Sequence, residues 1–176
     1  ELHAPGLPEL RVAAPTQGER LPVQVWKDHL EALAAGAEAD AWFSRYLGFE
    51  VRLVFMGPDV HRPKDSTHAQ AGDEVSFADS MPLLVTGQAS LDALNRRLER
   101  PVPMARFRPN LVVDGLPEYD EDSWRQVQVG DVLFDVAKPC TRCVLVNTDP
   151  ATGERDPAHE PLKTLSKYRR ADDGVR

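Results

Sequence analysis

The sequence predicts an α+β, β-rich domain, barrel-like with flanking helices, and three observations carry that reading. Short apolar runs bounded by Gly, Pro, Asp and Asn outnumber helical patterns. The helical patterns intervene irregularly, and the strict alternation of strand and helix that a doubly wound parallel sheet needs is missing. With 176 residues, 41% of them hydrophobic and 28% charged, the chain can bury one substantial core or two small ones, which excludes disordered and fibrous classes.

The elements follow in order. The chain opens without a methionine, in what reads as strand and turn with Leu10 to Ala14 extended, so a fragment of a longer protein is expected. Ala39, Trp42, Phe43, Tyr46 and Leu47 keep helical spacing and Gly48 follows as a left-handed cap, predicting a helix over 38–47. Val51 to Met56 reads as a buried strand. Residues 57–72 carry Pro, Asp, His and Lys without periodicity and predict a long surface loop, with His61 and His68 solvated, or as the lesser alternative lining a site entrance. Leu83 to Thr86 predicts a strand, after which Ser90 caps a helix whose Leu91, Leu94 and Leu98 share a face, with Arg96, Arg97 and Arg100 suiting the end of its dipole. Leu111 to Val113 predicts a strand, and Val127, Val129, Val132, Phe134 and Val136 around Gly130-Asp131 a hairpin. Val144 to Val146 reads as a further strand, Asp149 to Gly153 as a turn, and Pro161 as the first position of a last helix. Residues 171–176 read as a polar tail with nothing to pack.

Charge and hydropathy narrow the function classes. The net charge of −7 makes a nucleic acid polymer an unsuitable general partner, although a local basic patch is compatible with it. No apolar run reaches the roughly 20 residues of a membrane helix, and no basic start with a greasy stretch suggests a secretory signal. A cytoplasmic protein without a membrane partner is expected.

The two cysteines lie together in Lys138-Pro-Cys-Thr-Arg-Cys143, where the intervening Arg142 favours the thiolate that attacks substrates and binds metals. Four readings stand. A thioredoxin-like dithiol needs a helix opening at the motif, whereas Val144 to Val146 reads as strand. A zinc site needs two more ligands, and the histidines at 3, 29, 61, 68 and 159 are scattered. A single thiolate can bind a soft, redox-active metal while the other cysteine supports the loop. Composition alone favours the fourth, two buried cysteines without chemistry.

Arg106 and Arg108, read as i, i+2 on an extended segment before Pro109 and Asn110, point the same way and suit a phosphate, or else are solvated arginines on an edge strand. Asp79 and Ser80 form an anion-contacting turn or a plain Asp/Ser turn. Glu121-Asp-Ser-Trp124 offers paired carboxylates for acid/base work, or a solvated turn flanking a buried Trp.

Phe77-Ala-Asp-Ser-Met-Pro82, Ser90-Leu-Asp-Ala-Leu-Asn95, Phe107-Arg-Pro-Asn-Leu-Val-Val113, Glu121-Asp-Ser-Trp124, Lys138-Pro-Cys-Thr-Arg-Cys143 and Glu160-Pro-Leu-Lys-Thr-Leu165 together resemble, in order and spacing, the MOSC domain. Within that family they are most similar to the amidoxime-reducing components and to bacterial proteins that reduce N-hydroxylated purines. The resemblance covers residues 77–170 and, more weakly, the chain back to residue 20. It implies a MOSC-type β-barrel with flanking helices, incomplete at both ends. Residues 1–20 would be a remnant of an amino-terminal subdomain, 21–170 the domain core and 171–176 a tail.

It further implies a molybdenum cofactor of the molybdopterin type, with Cys143 as protein ligand to the metal and as the catalytic residue. Arg108, Asn110 and Thr141 would help to hold the cofactor and the turn at Asp79 and Ser80 would approach it; Thr141 stands where a serine is usual and keeps the hydroxyl. The implied activity is reductive removal of oxygen from N-hydroxylated compounds such as hydroxylaminopurines and amidoximes, a detoxifying reaction. Electrons would come from a reductase partner or a ferredoxin-like domain, because the chain has neither a Gly-x-Gly-x-x-Gly fingerprint nor cysteines for an iron–sulfur cluster. The alternative implied by the family is a carrier that delivers the cofactor, or sulfur held as a persulfide on Cys143, to another enzyme. Pyridoxal phosphate binding is a further association of the domain class.

Overall fold

Leu21, Val23 and Val25 alternate with Arg20, Pro22 and Gln24 in side-chain burial, and this period of two makes strand β1 (Arg20–Val25). In the computed structural model, which describes residues 1–64 and 67–176, β1 turns through Trp26 and Lys27 into antiparallel β2 (Asp28–Ala34), with Val25 opposite Asp28 and Arg20 opposite Leu33. This hairpin was not among the sequence expectations, although its alternation was legible. Proline at 22 and tryptophan and lysine at the turn, where Asn-Gly is usual, hide the signal.

The helix expected over 38–47 is α1 (Ala37–Leu47), closed by Gly48 at φ 78° with its N–H on the Ser44 carbonyl. It buries Ala39 and Trp42 against Leu10, and the Trp42 indole N–H donates to the Pro8 carbonyl at 2.7 Å. The strand expected over 51–56 shrinks to β3 (Val54–Phe55), paired with β2. The reason lies in competing partners: Val51 bonds the Ser44 hydroxyl, and the Leu53 N–H donates to the Asp40 carboxylate at 2.9 Å. In the expected loop over 57–72, residues 65 and 66 lie outside the described residues. Lys64 N–H donates to the Asp73 carbonyl and Val75 N–H to the Arg62 carbonyl, so the loop folds back on the segment that follows it, and His61 pairs with Glu74 at 2.7 Å.

In the second half, strand β4 (Val85–Gly87) starts two residues later and ends one later than the expected 83–86, and leads into α2 (Gln88–Asn95). Ser90 is not the cap: Gly87 holds that position, and Ser90 lies inside the first turn, its hydroxyl bonded to Glu121. Strand β5 (Leu111–Val113) pairs parallel with β4, Val85 opposite Leu111. The expected hairpin is β6 (Gln126–Val129) and β7 (Val132–Asp135) around Gly130 at φ 59°.

The strand expected over 144–146 is instead a 3-10 turn, Val144–Asn147. Burial of Val146 and Asn147 sets its geometry, and the Asn147 carbonyl accepts from Arg106 at 2.7 Å and from the Asp156 N–H at 2.8 Å. Helix α3 (Leu162–Tyr168) starts one residue after Pro161, its first N–H held by the Asn147 side chain at 3.0 Å. The expected free tail is a ribbon, β8 (Arg170–Ala171) with β9 (Gly174–Val175), and Val175 packs on the core of Leu91, Leu94, Val102 and Leu165.

The chain forms two compact units, Glu1–Pro82 and Leu83–Arg176. Among the described residues the ladders make one three-stranded sheet and three two-stranded pairs beside three α-helices. The mixed α and β class is as expected, and these ladders do not trace a closed barrel.

Candidate functional site

No strand or helix holds the segment 136–143; it is placed from both sides by neighbours in the second unit. The Arg142 N–H donates to the Val175 carbonyl at 2.6 Å, and the Arg142 guanidinium lies over the Phe107 ring at 5.3 Å from its centroid. Thr141 packs on the C-terminal ribbon so closely that a Cβ at Gly174, already at φ 133°, would sit 3.3 Å from the threonine methyl. Cys143 is extended and immediately precedes the 3-10 turn.

Both cysteines are free thiols and exposed, which overturns the reading of two buried, inert cysteines. Their exclusion as a thioredoxin-like pair had rested on a following strand; that strand is a four-residue 3-10 turn, and neither cysteine lies in a helix. Among the described residues no three His, Cys, Asp or Glu side chains gather as a metal cage. Burial of Arg142 pulls its pKa below the usual arginine range, against the opposing fields of Cys140, Glu121 and Cys143. A guanidinium is thus within electrostatic reach of both sulfurs.

The two arginines expected to act together part company. Residues Met104–Phe107 form a 3-10 turn, not an extended segment. Arg106, with its side chain 10% exposed, is committed to the Asn147 carbonyl and to Asp149, a structural role. Arg108 is exposed, at φ 54°, its N–H on the Ala105 carbonyl and its guanidinium without a partner among the described residues. Asn110 anchors the same loop, accepting the Leu84 N–H at 2.9 Å on its side-chain oxygen. Stacking of Arg142 on Phe107 brings the loop of Arg108 and Asn110 to the loop of Thr141 and Cys143. Asp79 and Ser80 belong to the first unit, where they line an open cleft of about 720 Å³ with Trp26 and Arg62; Asp79 accepts the Trp26 indole N–H.

Glu121 is engaged by hydrogen bonds within the second unit. Its carboxylate accepts the Gly87 N–H at 3.1 Å and the Ser90 hydroxyl at 2.9 Å, capping α2 from a distant segment. Beside it Arg169 makes a two-pronged ion pair with Asp122 and stacks on Tyr119 at 4.5 Å. The space these residues share with Arg142 and Phe107 is about 70 Å³, room for water-sized groups and not for a bicyclic ring. Trp26 and Arg62 escaped the sequence reading. Their one signal was an isolated Trp-Lys-Asp between two alternating runs.

Residues 72–176 match the model of the MOSC domain. The chain is 39% identical over 168 residues to "Mitochondrial amidoxime-reducing component 1" of Mus musculus, covering 93% of this chain and 49% of that protein. It is 34% identical over 179 residues to the protein of the same name from Homo sapiens, covering 95% and 50%. With "Mitochondrial amidoxime reducing component 2" of Rattus norvegicus it shares 34% over 183 residues, covering 99% and 54%. The chain therefore spans about half the length of the curated relatives it matches. No helix among the described residues is long and apolar enough to cross a membrane.

Proposed function

The chain belongs to the MOSC domain family, and from that premise we propose that it is part of a molybdenum-cofactor-dependent oxidoreductase acting on N-hydroxylated compounds. The observation that carries the proposal is the exposed Cys143 thiol, beside an equally exposed Cys140, on a loop that Arg142 joins to the loop of Arg108 and Asn110 by stacking on Phe107. That donor set suits a soft metal that arrives with most of its ligands on an organic cofactor. The exposed, unpartnered guanidinium of Arg108 suits the cofactor's phosphate. Cys143 would be the metal's protein ligand, and Arg108, Asn110 and Thr141 of the same unit would hold the pterin and phosphate.

When bound, that group supplies two-electron oxygen-atom chemistry. The net reaction takes R–NHOH, two electrons and two protons to R–NH2 and water, so the N–O bond breaks and an external donor is oxidised. Hydroxylaminopurines and amidoximes are the proposed substrates, and a reductase or ferredoxin-like domain is the proposed donor. The test is turnover by the full protein with bound molybdenum and a competent electron donor. Reduction of N-hydroxylated substrates is expected; stoichiometric molybdenum with no reduction of any of them would refute the assignment.

Exposure of both thiols also favours a second reading, a carrier of the cofactor or of persulfide sulfur. A sulfur carrier gains 32 Da on Cys143 per added sulfur atom, on the order of one sulfur mass, and needs no electron donor. Mass spectrometry of the purified protein separates bound pterin from added sulfur.

A further inference from the structure

The small cavity of the second unit is walled by three cations and one anion. Arg142, Arg169 and Arg176 border a space of about 70 Å³ beside a single carboxylate, Glu121, and all four residues lie within Leu83–Arg176. Glu121 is already spent: its two oxygens accept the Gly87 N–H and the Ser90 hydroxyl at the start of α2. On the same wall the Tyr119 hydroxyl donates to Tyr168 at 3.0 Å.

The three arginines differ in what holds them. Arg169 is fixed by both prongs to Asp122, and Arg176 gives one terminal N–H to Asp173 at 3.2 Å. The Arg176 Nε–H, however, is buried and has no acceptor among the described residues. Arg142 stacks its guanidinium on Phe107, and among the described residues only its backbone N–H is hydrogen-bonded. A buried charged N–H without an acceptor is costly, and in a folded protein it marks a bound water or ion. Charge decides between the two. With three guanidiniums to one carboxylate, and apolar sides from Leu91 and Leu94, an anion gains far more from this wall than a neutral water does.

We propose that this cavity binds one small monovalent anion of chloride size, held by the Arg142 guanidinium and the Arg176 Nε–H in the field of Arg169. Volume selects the class: about 70 Å³, against the roughly 30 Å³ that a water molecule takes in the liquid, admits a halide and excludes a phosphate ester. The bound anion would tie the 136–143 segment to the C-terminal ribbon from within, beside the bond from the Arg142 N–H to the Val175 carbonyl. The site uses none of the residues given above to the metal or its cofactor, and it stands or falls apart from that function.

The test is chlorine NMR of the full protein, in which exchange with a protein-bound site broadens the chloride line. Broadening that saturates with chloride at constant ionic strength, and that bromide competes away, is expected. Arg142→Gln should weaken chloride binding at least about tenfold, the lower end of a lost hydrogen bond to a charged group. Arg96→Gln, at the surface pair with Glu118, should bind chloride as the parent does. Crystals of the parent protein grown in sodium bromide give a reading that needs no variant: an anomalous peak is expected between Arg142 and Arg176. Broadening that never saturates, equal affinity in Arg142→Gln and Arg96→Gln, or bromide crystals with no peak between those two arginines would overturn the proposal.

Discussion

Replacing Glu121 by alanine tests the way the second unit is assembled. In the structure one half-buried carboxylate reaches from the 120–123 turn to the start of α2, accepting the Gly87 N–H and the Ser90 hydroxyl, while the same hydroxyl accepts the Tyr119 N–H at 2.8 Å. Each hydrogen bond to a charged group contributes about 1.5–3 kcal/mol, and a negative charge at a helix start adds about 0.3–1 kcal/mol. Partial exposure discounts these values, so the expected loss for Glu121→Ala is about 2–3 kcal/mol. Glu121→Gln keeps one acceptor and should lose about half as much. Gly87→Ala gives a further check: its Cβ would stand 2.9 Å from the Glu121 carboxylate and 3.2 Å from the Ser90 hydroxyl, with an ordinary backbone angle, so a loss reports crowding of the Glu121–Ser90 pair. Urea unfolding followed by circular dichroism reads all three. A change below about 0.5 kcal/mol for Glu121→Ala, the range of an uninvolved surface site, would refute the capping role.

Two other perturbations follow from the same unit. Asn147 is 1% exposed and its side-chain oxygen holds the Leu162 N–H, so Asn147→Ala should destabilise by about 2 kcal/mol by leaving a helix N–H unpaired, measurable in the same urea experiment. Burial alone would raise the Asp156 pKa, but the N–H groups of Glu160 and Ala158 and the charges of Arg100 and Arg106 prevail and hold it below the usual carboxylate range. Its contribution is therefore complete above the unfolded value of about 3.9 and is lost as pH falls through the lower folded value. Asp156→Asn should shrink the difference in urea midpoint between neutral pH and pH 3; an unchanged difference would contradict this account.

What was legible in the sequence was periodic and local. Helix α1 with its Gly48 cap, strand β5 and the β6–β7 hairpin all follow from apolar spacing and turn residues within a dozen positions. What escaped was set by distant partners. Val144 to Val146 has the composition of a strand, yet among the described residues no strand pairs with it, and it forms a turn that ends on buried Asn147. Arg106 looked equivalent to Arg108 until Asn147 and Asp149, about forty residues on, claimed it. Ser90 has the identity of a cap, but the cap function is supplied by Glu121. The six spaced motifs were readable because they are a pattern of order along the chain. The first-unit cleft was not, because it depends on a buried arginine bonding three separated positions.

The most direct measurement compares bound molybdenum and N-reduction in the full protein, in Cys143→Ser and in Cys140→Ser, each reconstituted with cofactor. A serine hydroxyl stays protonated near neutral pH where a thiolate would bind the soft metal, and both cysteines are exposed, so neither change should lower the melting temperature much. Cys143→Ser should lose molybdenum and turnover while Cys140→Ser keeps most of both. Equal metal content and activity in Cys143→Ser and the parent would contradict the assignment of Cys143.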